Sequence, residues 1–256
     1  WLFALAVSFV SCDDWLDKTP KDRLYPDVYF KTEDELRLFT NQFYNNLVPS
    51  AVDIYSESSD LIVKSDLMLE MSGQRIIPDE GNGWNFTALR DINFYLQYSH
   101  NCTEVNARNR YDGVARFFRA YFYFEKVKRY GDIPWYDKAL DSDDPELYKA
   151  RDSREFVMQK MLEDLDFAIA NLPKTKNAYV LTRWTALALK SRVCLFEGTF
   201  RKYHGLEDYE KYLNACVSAS ETFMNESGYT LYKSGSTPYR DLFASINLQA
   251  DEVIFG

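Results

Sequence analysis

Three carboxylates in the stretch from residue 49 to 85 are candidates for chemistry, because two paired carboxyl groups can hydrolyse a glycosidic bond. They are Asp60, Asp66 and Glu70. The chain has 39 Asp and Glu residues, so such pairs also arise by chance, and solvated loop charge is the alternative interpretation. Nucleophilic and nucleotide chemistry lack their parts, because the chain has two His, no G-x-S-x-G and no phosphate-binding glycine loop. We therefore assign no catalytic residue.

A binding site requires less: an exposed aromatic plane and a few polar groups that meet hydroxyls. The run GNGWN at 81–85 ends the same stretch. Its glycines favour a sharp turn that presents Trp84 outward, with Asn85 available to a hydroxyl. Asp60 and Arg75 are the candidate polar partners. Alternatively, Trp84 packs as core at the start of the next helix.

Composition excludes one class of partner. The chain has 256 residues, 46% of them hydrophobic, with 19 Tyr and 18 Phe, which is enough for a globular core. Its formal net charge is −9 and no cluster of Lys and Arg interrupts that sign. A surface that tracks nucleic-acid phosphates is therefore not expected.

The first twelve residues are typical of a secreted lipoprotein. The apolar run at 1–10 is too short to span a bilayer but suits the hydrophobic part of a signal peptide. Ser11 and Cys12 follow and resemble a lipobox, although Phe9 stands where Leu is usual. We expect 1–11 to be a signal peptide without its basic part, and Cys12 to carry the lipid that holds the body at a membrane. The alternative is a buried N-terminal segment with an incidental cysteine.

The remaining cysteines are Cys102, Cys194 and Cys216, an odd number without C-x-x-C spacing. No metal site is predicted from them, and no cofactor is expected. One disulfide among the three is compatible with the sequence but not required by it.

Apolar periodicity predicts a mainly α-helical chain. We expect helices at about 33–47, 86–99, 108–130, 153–172, 183–203 and 207–225, a long irregular loop over 49–85, and short strands near 229–232 and 253–255. Thr32 and Glu35 form a capping box, and Gly131 with Pro134 ends the third helix. Small residues on the last two helices, such as Gly198 and Ala219, favour antiparallel hairpins stacked as in tetratricopeptide solenoids.

Residues 113–134, GVARFFRAYFYFEKVKRYGDIP, closely resemble the central signature of the SusD/RagB family. That signature runs E-A-R-F-L-R-A-Y-x-Y-F and then Y-G-D-[VI]-P; here Val114 replaces the Glu and Phe118 the Leu. The stretches 12–17, 154–173 and 181–203 agree in the same order. The resemblance extends over 12–256 as a single helical domain without the family's C-terminal portion, and the chain, which starts at Trp1, is expected to be a piece of a longer protein.

The resemblance implies stacked tetratricopeptide-like hairpins and a lipoprotein on the outer surface of a Gram-negative outer membrane. It implies a TonB-dependent, SusC-like transporter as partner, to which the protein passes glycans or, less often, peptides. A loop-carboxylate glycoside hydrolase and a peptide-binding or purely structural scaffold remain the alternatives. Within the signature we expect Arg116, Arg119 and Tyr130 to be structural, because the rest of that helix surface is strongly apolar.

Overall fold

The computed structural model describes residues 28–48, 72–76, 81 and 83–256. Cys12, Asp60, Asp66 and Glu70 lie outside these residues. The described part contains seven α-helices, and they are α1 Glu33–Leu47, α2 Thr87–Tyr98, α3 Val105–Tyr130, α4 Arg154–Asn171, α5 Arg183–Tyr203, α6 Tyr209–Glu226 and α7 Pro238–Ala244. Two short 3₁₀ turns, Ser99–Asn101 and Pro145–Tyr148, complete the regular structure. The mainly helical fold class predicted from periodicity is confirmed.

Side-chain caps explain where α1, α4 and α5 begin. Thr32 accepts a hydrogen bond from the Glu35 backbone N–H at 3.3 Å, and the Glu35 carboxylate accepts one from the Thr32 N–H at 3.1 Å. This is the capping box expected from the sequence. Thr182 caps α5 in the same way, through the backbone N–H of Thr185. Gly131 ends α3 with a φ of +72°, a conformation that L side chains rarely adopt.

Close helix pairs form the frame of the molecule. Helices α5 and α6 are joined by only five residues, 204–208, and pack against each other along their length. A Cβ built on Gly198 would lie 2.7 Å from Leu213 Cδ2, so the glycine is what allows this approach. The Ser191 and Ser220 hydroxyls lie 2.8 Å apart across the pair. The stacked hairpins expected from the small residues are confirmed.

Helix α3 is the centre of the core. It packs against α1, α2 and α4, and half of its residues are buried, including most of the aromatic residues of the signature: Phe117, Phe118, Phe122, Tyr123 and Phe124. Five of the six largest fully buried side chains come from this junction and its neighbours: Tyr95, Tyr123, Phe30, Phe43 and Phe118; the sixth, Tyr212, lies on α6. The free thiol of Cys102 lies in the same core; Cys194 and Cys216 are also free, and burial raises the pKa of Cys194 to about 12.

Three details differ from the sequence prediction. Helix α3 begins at Val105, three residues before the expected start, and α7 was not predicted. The strands expected near 229–232 and 253–255 do not form; these segments are irregular, and a Thr230 N–H to Asp251 O hydrogen bond of 2.9 Å holds the first of them. That bond lacks the neighbouring ladder bonds that define a strand. None of the helices in the described part is long and apolar enough to cross a membrane.

Candidate ligand-binding site

The glycine-flanked turn before α2 is as tight as its sequence predicts. Gly81 and Gly83 have φ values of +75° and +82°. The Trp84 N–H donates to Gly81 O at 2.9 Å, and the Asn85 N–H donates to Gly83 O at 2.9 Å. The Lys126 ammonium also donates to Gly83 O. This turn therefore fixes the position of the Trp84 backbone, from which the indole extends.

Trp84 is partly exposed, with 41% of its surface accessible. Its ring meets Tyr130 edge to face at a centroid separation of 4.9 Å, and Phe86 at 5.3 Å. The guanidinium carbon of Arg151 lies 4.9 Å from the indole centroid. The indole thus combines the two arrangements considered from the sequence, because neighbours hold it in place while much of its surface remains accessible.

A cavity of about 600 Å³ opens beside Trp84, between α2 and the irregular segment 134–151. Its volume is within the range typical of small-ligand pockets. Much of its wall is aromatic or aliphatic, and this part comprises Trp84, Phe86, Leu89, Tyr136, Leu140 and Leu147. Such a surface can accept the apolar face of a flat ring.

Tyr123 anchors the first part of this wall from inside the core. Its hydroxyl donates to Pro134 O at 3.2 Å and accepts from the Tyr136 N–H at 2.7 Å. Its ring stacks on Trp135 with centroids 4.3 Å apart. Burial raises the pKa of Tyr123 above its ordinary value, so the hydroxyl keeps the proton that it donates.

A buried polar chain anchors the next part of the wall. The Asn93 amide donates to Tyr136 O at 2.8 Å and to Lys138 O at 3.3 Å, while its oxygen accepts from Arg119 Nη1 at 3.3 Å. Arg119 in turn binds the carboxylate of Asp164 through two hydrogen bonds. Burial by itself lowers the pKa of Arg119, but the hydrogen bonds and charge of Asp164 outweigh it and raise that pKa. The structural role predicted for Arg119 therefore extends to the cavity.

Two further side chains hold the outer part of the wall. Arg90 Nε donates to Leu140 O at 3.3 Å. The Lys149 ammonium donates to Trp135 O at 2.6 Å and pairs with Asp152 at 2.9 Å. The wall is therefore fastened mainly through its backbone.

The three predicted ligand residues that the structure describes, Trp84, Asn85 and Arg75, are not brought together. Asn85 accepts the Thr87 N–H at 2.8 Å, which starts α2, and it lines a separate depression with Asp91 and Lys126. Arg75 is exposed in the segment 72–76 and is not among the described residues that line the cavity. Asp60 lies outside the described residues. Of the three described candidates, Trp84 borders the cavity and the other two do not.

The other signature residues lie around this site. Tyr130 supports Trp84, as described above. Arg116 stacks on Phe167, with its guanidinium carbon 4.1 Å from the ring centroid, and its Nη1 lies 3.7 Å from Asp164 Oδ1. Sequence analysis missed Tyr136, Leu140, Leu147 and Arg151, because they belong to a connection without periodicity. The one available signal was the aromatic pair Trp135–Tyr136 directly after Pro134.

Comparison with known families decides which group of proteins has this arrangement. A model of the SusD-like family, described as starch-binding and associating with the outer membrane, matches residues 44–183, which is more than half of the chain. The chain belongs to the SusD-like family. The matched range includes the turn at 81–85, α2, α3 and the whole wall of the cavity.

Individual relatives agree with this SusD-like assignment. The chain is 24% identical over 252 residues to the SusD-like protein P38 of Formosa agariphila. The aligned region covers 91% of this chain and 46% of that protein. A crystal structure of a SusD-like protein from Bacteroides fragilis superposes with a TM-score of 0.71 at 22% identity, over 93% of this chain and 46% of that one. The chain therefore spans about half the length of the relatives it matches.

One further SusD-like structure is described by its ligand. A laminarin-binding SusD-like protein superposes with a TM-score of 0.54 at 18% identity, over 66% of this chain and 35% of that one. At this identity the likeness concerns the fold. The resemblance to the SusD/RagB signature noted in the sequence is confirmed.

Proposed function

We propose that this SusD-like chain binds a glycan in the cavity beside Trp84. The observation that carries the proposal is a partly exposed indole, held at a fixed position, at the edge of a cavity of about 600 Å³. Sugar rings present an apolar face that stacks on aromatic planes, and the half-buried Phe86 adds a second aromatic ring to the same cavity. A glycan therefore fits this surface better than a purely polar solute does.

The comparisons support a glycan as the ligand. The family is described as starch-binding, and one structural neighbour binds laminarin. A peptide ligand or a purely structural role remains the alternative from another class. Under either alternative, no glycan binds in a way that depends on Trp84.

We also propose the cellular setting of the binding. Cys12 carries the lipid, the body lies on the outer face of the outer membrane, and a TonB-dependent, SusC-like transporter receives the captured oligosaccharide. The lipobox-like start of the chain and the family's description as associating with the outer membrane support this setting. Glycan would be released to the transporter unchanged.

Hydrolysis is the less favoured chemistry at this cavity. The described residues that line it include no Asp or Glu, whereas glycoside hydrolysis ordinarily needs two carboxyl groups beside the scissile bond. The loop carboxylates Asp60, Asp66 and Glu70 lie outside the described residues and remain the only carboxylates proposed for that role. New reducing ends after incubation with a bound glycan would favour the hydrolase.

Substitution of Trp84 tests the proposal. The protein is first screened on a glycan array, and the bound glycans are then titrated by calorimetry against the Trp84→Ala variant. We expect affinity to fall by about tenfold or more, because the variant loses both the stacking of the sugar ring on the indole and the apolar area that this contact buries. The melting temperature should change little, since the indole is partly exposed.

Trp184→Ala is the matched control. Trp184 is 3% exposed, and its indole N–H donates to Lys174 O at 2.6 Å. It packs in a separate hydrophobic cluster with Leu187 and Ala219, away from the cavity wall. This variant should lose stability and keep affinity. Equal affinity of Trp84→Ala and the unchanged protein, or an array on which no glycan binds, would overturn the proposal.

A further inference from the structure

The charge of the cavity is opposite to that of the chain. The chain carries a formal charge of −9, yet four cationic side chains line the cavity: Arg90, Lys138, Lys149 and Arg151. Among the described lining residues there is no carboxylate. A cavity intended only for neutral rings does not require this excess of positive charge.

Two of the four cations already have partners. Lys138 pairs with Glu146 at 2.9 Å and with Asp144 at 3.6 Å, and Lys149 pairs with Asp152 at 2.9 Å. These lysines mainly hold the wall together. They attract an anionic ligand only weakly, because a carboxylate beside each ammonium group offsets its positive charge.

The two arginines differ from the lysines. Within the described part of the chain, no carboxylate lies within ion-pair distance of Arg90 or Arg151, although both are exposed at the cavity. Arg90 uses Nε to hold Leu140 O, and Arg151 lies over the Trp84 indole. Asp91, next to Arg90 in sequence, is a carboxylate that feels its charge: burial raises the pKa of Asp91, and the Arg90 guanidinium partly offsets that rise. Asp91 lines the separate depression that contains Asn85, and it makes no ion pair with Arg90 among the described residues.

We propose that the glycan taken by this cavity is anionic, and that Arg90 and Arg151 bind its carboxylate or sulfate groups. This inference rests on the proposed function. A guanidinium group presents N–H donors in a planar fork that matches a carboxylate or a sulfate, and the resulting hydrogen bonds are stronger than neutral ones. Because Arg151 lies over the indole, a sugar ring that packs beside Trp84 brings an acidic substituent within reach of that guanidinium group.

An array of matched pairs tests the inference. Each anionic oligosaccharide, whether uronate, sialylated or sulfated, is placed beside its neutral parent: the methyl ester, the desialylated form or the desulfated form. We expect the anionic member of at least one pair to bind about tenfold or more tighter, and this preference to shrink as salt is added. The uronate and sulfate pairs distinguish the two sources of negative charge.

Variants connect the preference to the two arginines. Arg151→Gln should weaken the anionic member about tenfold and its neutral parent much less. Arg90→Gln also removes the bond that holds Leu140 O, so it should weaken both members of a pair, and the anionic member more. Arg192→Gln is the control, because this exposed arginine lines a different depression, with Phe117 and Leu189. It should change neither affinity.

The possible results separate this inference from the proposed function. Neutral parents that bind as tightly as the anionic members, in a Trp84-dependent way, would overturn the anionic preference and leave glycan binding intact. Equal losses for both members of a pair in the arginine variants would also overturn it, because the arginines would then only hold the wall. Failure of every glycan to bind would overturn the proposed function itself, and the inference with it.

Discussion

Arg119 on α3 and Asp164 on α4 face each other in a two-pronged salt bridge, with Nε to Oδ2 at 2.6 Å and Nη2 to Oδ1 at 2.7 Å. Their side chains are only 9% and 3% exposed. The remaining guanidinium nitrogen reaches Asn93, which holds the backbone of the cavity wall at residues 136 and 138. One ion pair therefore joins two helices of the core to the wall of the cavity.

Replacing Arg119 with Ala should strongly destabilise the protein. The change leaves the buried Asp164 carboxylate with only the longer contact to Arg116, and breaking a buried pair in this way costs about 3–5 kcal/mol. Chemical denaturation measures the free energy of unfolding. Arg116→Ala is the comparison on the same helix, and should lose about 1 kcal/mol, because Arg116 is a third exposed and lies 3.7 Å from Asp164. Equal losses in the two variants would contradict the central role of Arg119.

Tyr123→Phe should weaken both the fold and the cavity. It removes the hydroxyl that bonds Pro134 O and the Tyr136 N–H, and leaves two buried backbone groups unpaired, at a cost of about 1–3 kcal/mol. Because the wall loses its anchor, affinity for any ligand that depends on Trp84 should also fall. Denaturation and calorimetry on the same preparation measure both effects.

Tyr121→Phe is the control for that variant. Tyr121 lies on the same helix and is half-buried, but its hydroxyl makes no hydrogen bond within the described residues. Its loss should change stability by less than about 0.5 kcal/mol. An intact affinity in Tyr123→Phe would show that the wall keeps its position without this hydroxyl.

Two glycine-to-alanine substitutions should change the stability of the protein in opposite directions. At Gly198 the new Cβ would lie 2.7 Å from Leu213 Cδ2 and 3.1 Å from Leu213 N, so α5 and α6 must separate, at a cost of about 1–3 kcal/mol. At Gly113 the nearest atoms belong to the Leu172 side chain at 3.4 Å, and alanine should gain up to about 1 kcal/mol of helix propensity. Thermal melting of both variants checks the contrast. A stabilised Gly198→Ala variant would mean that the two helices do not approach this closely.

Cys12→Ala should release the protein from membranes. The expectation follows from the apolar run at 1–10 and the acidic residues directly after Cys12. Fractionation of cells that express each form, with mass spectrometry of the mature N-terminus, measures anchoring and lipid together. A mature protein with an unmodified Cys12 would contradict it.

The helices were predictable because their positions depend on local signals. The start and end of α1 match the prediction, since Thr32 and Glu35 form the capping box that the sequence contains. The close approach of α5 and α6 at Gly198 was also readable, because only a residue without a Cβ fits there. The strands near 229–232 and 253–255 were wrong, because a short apolar run has the same composition whether or not a neighbouring strand exists to pair with it.

The candidate binding surface was less predictable, because it depends on contacts between distant segments. Trp84 was identified from its glycine turn, but its cavity is closed by residues more than 50 positions later, such as Tyr136 and Arg151. No periodicity marks that connection. Asn85 has the residue type expected of a sugar ligand, yet its side-chain oxygen starts a helix, and only the three-dimensional arrangement shows this.

The cavity wall is fastened through main-chain atoms, since Tyr123, Asn93 and Arg90 all bond backbone groups of residues 134–140. A backbone carbonyl is present whatever side chain its residue carries. Side chains along the wall can therefore be replaced without removing the hydrogen bonds that attach it to the helices behind it. If the proposed site is correct, its preference for one ligand over another can be altered within this short connection, and the helical scaffold need not change with it.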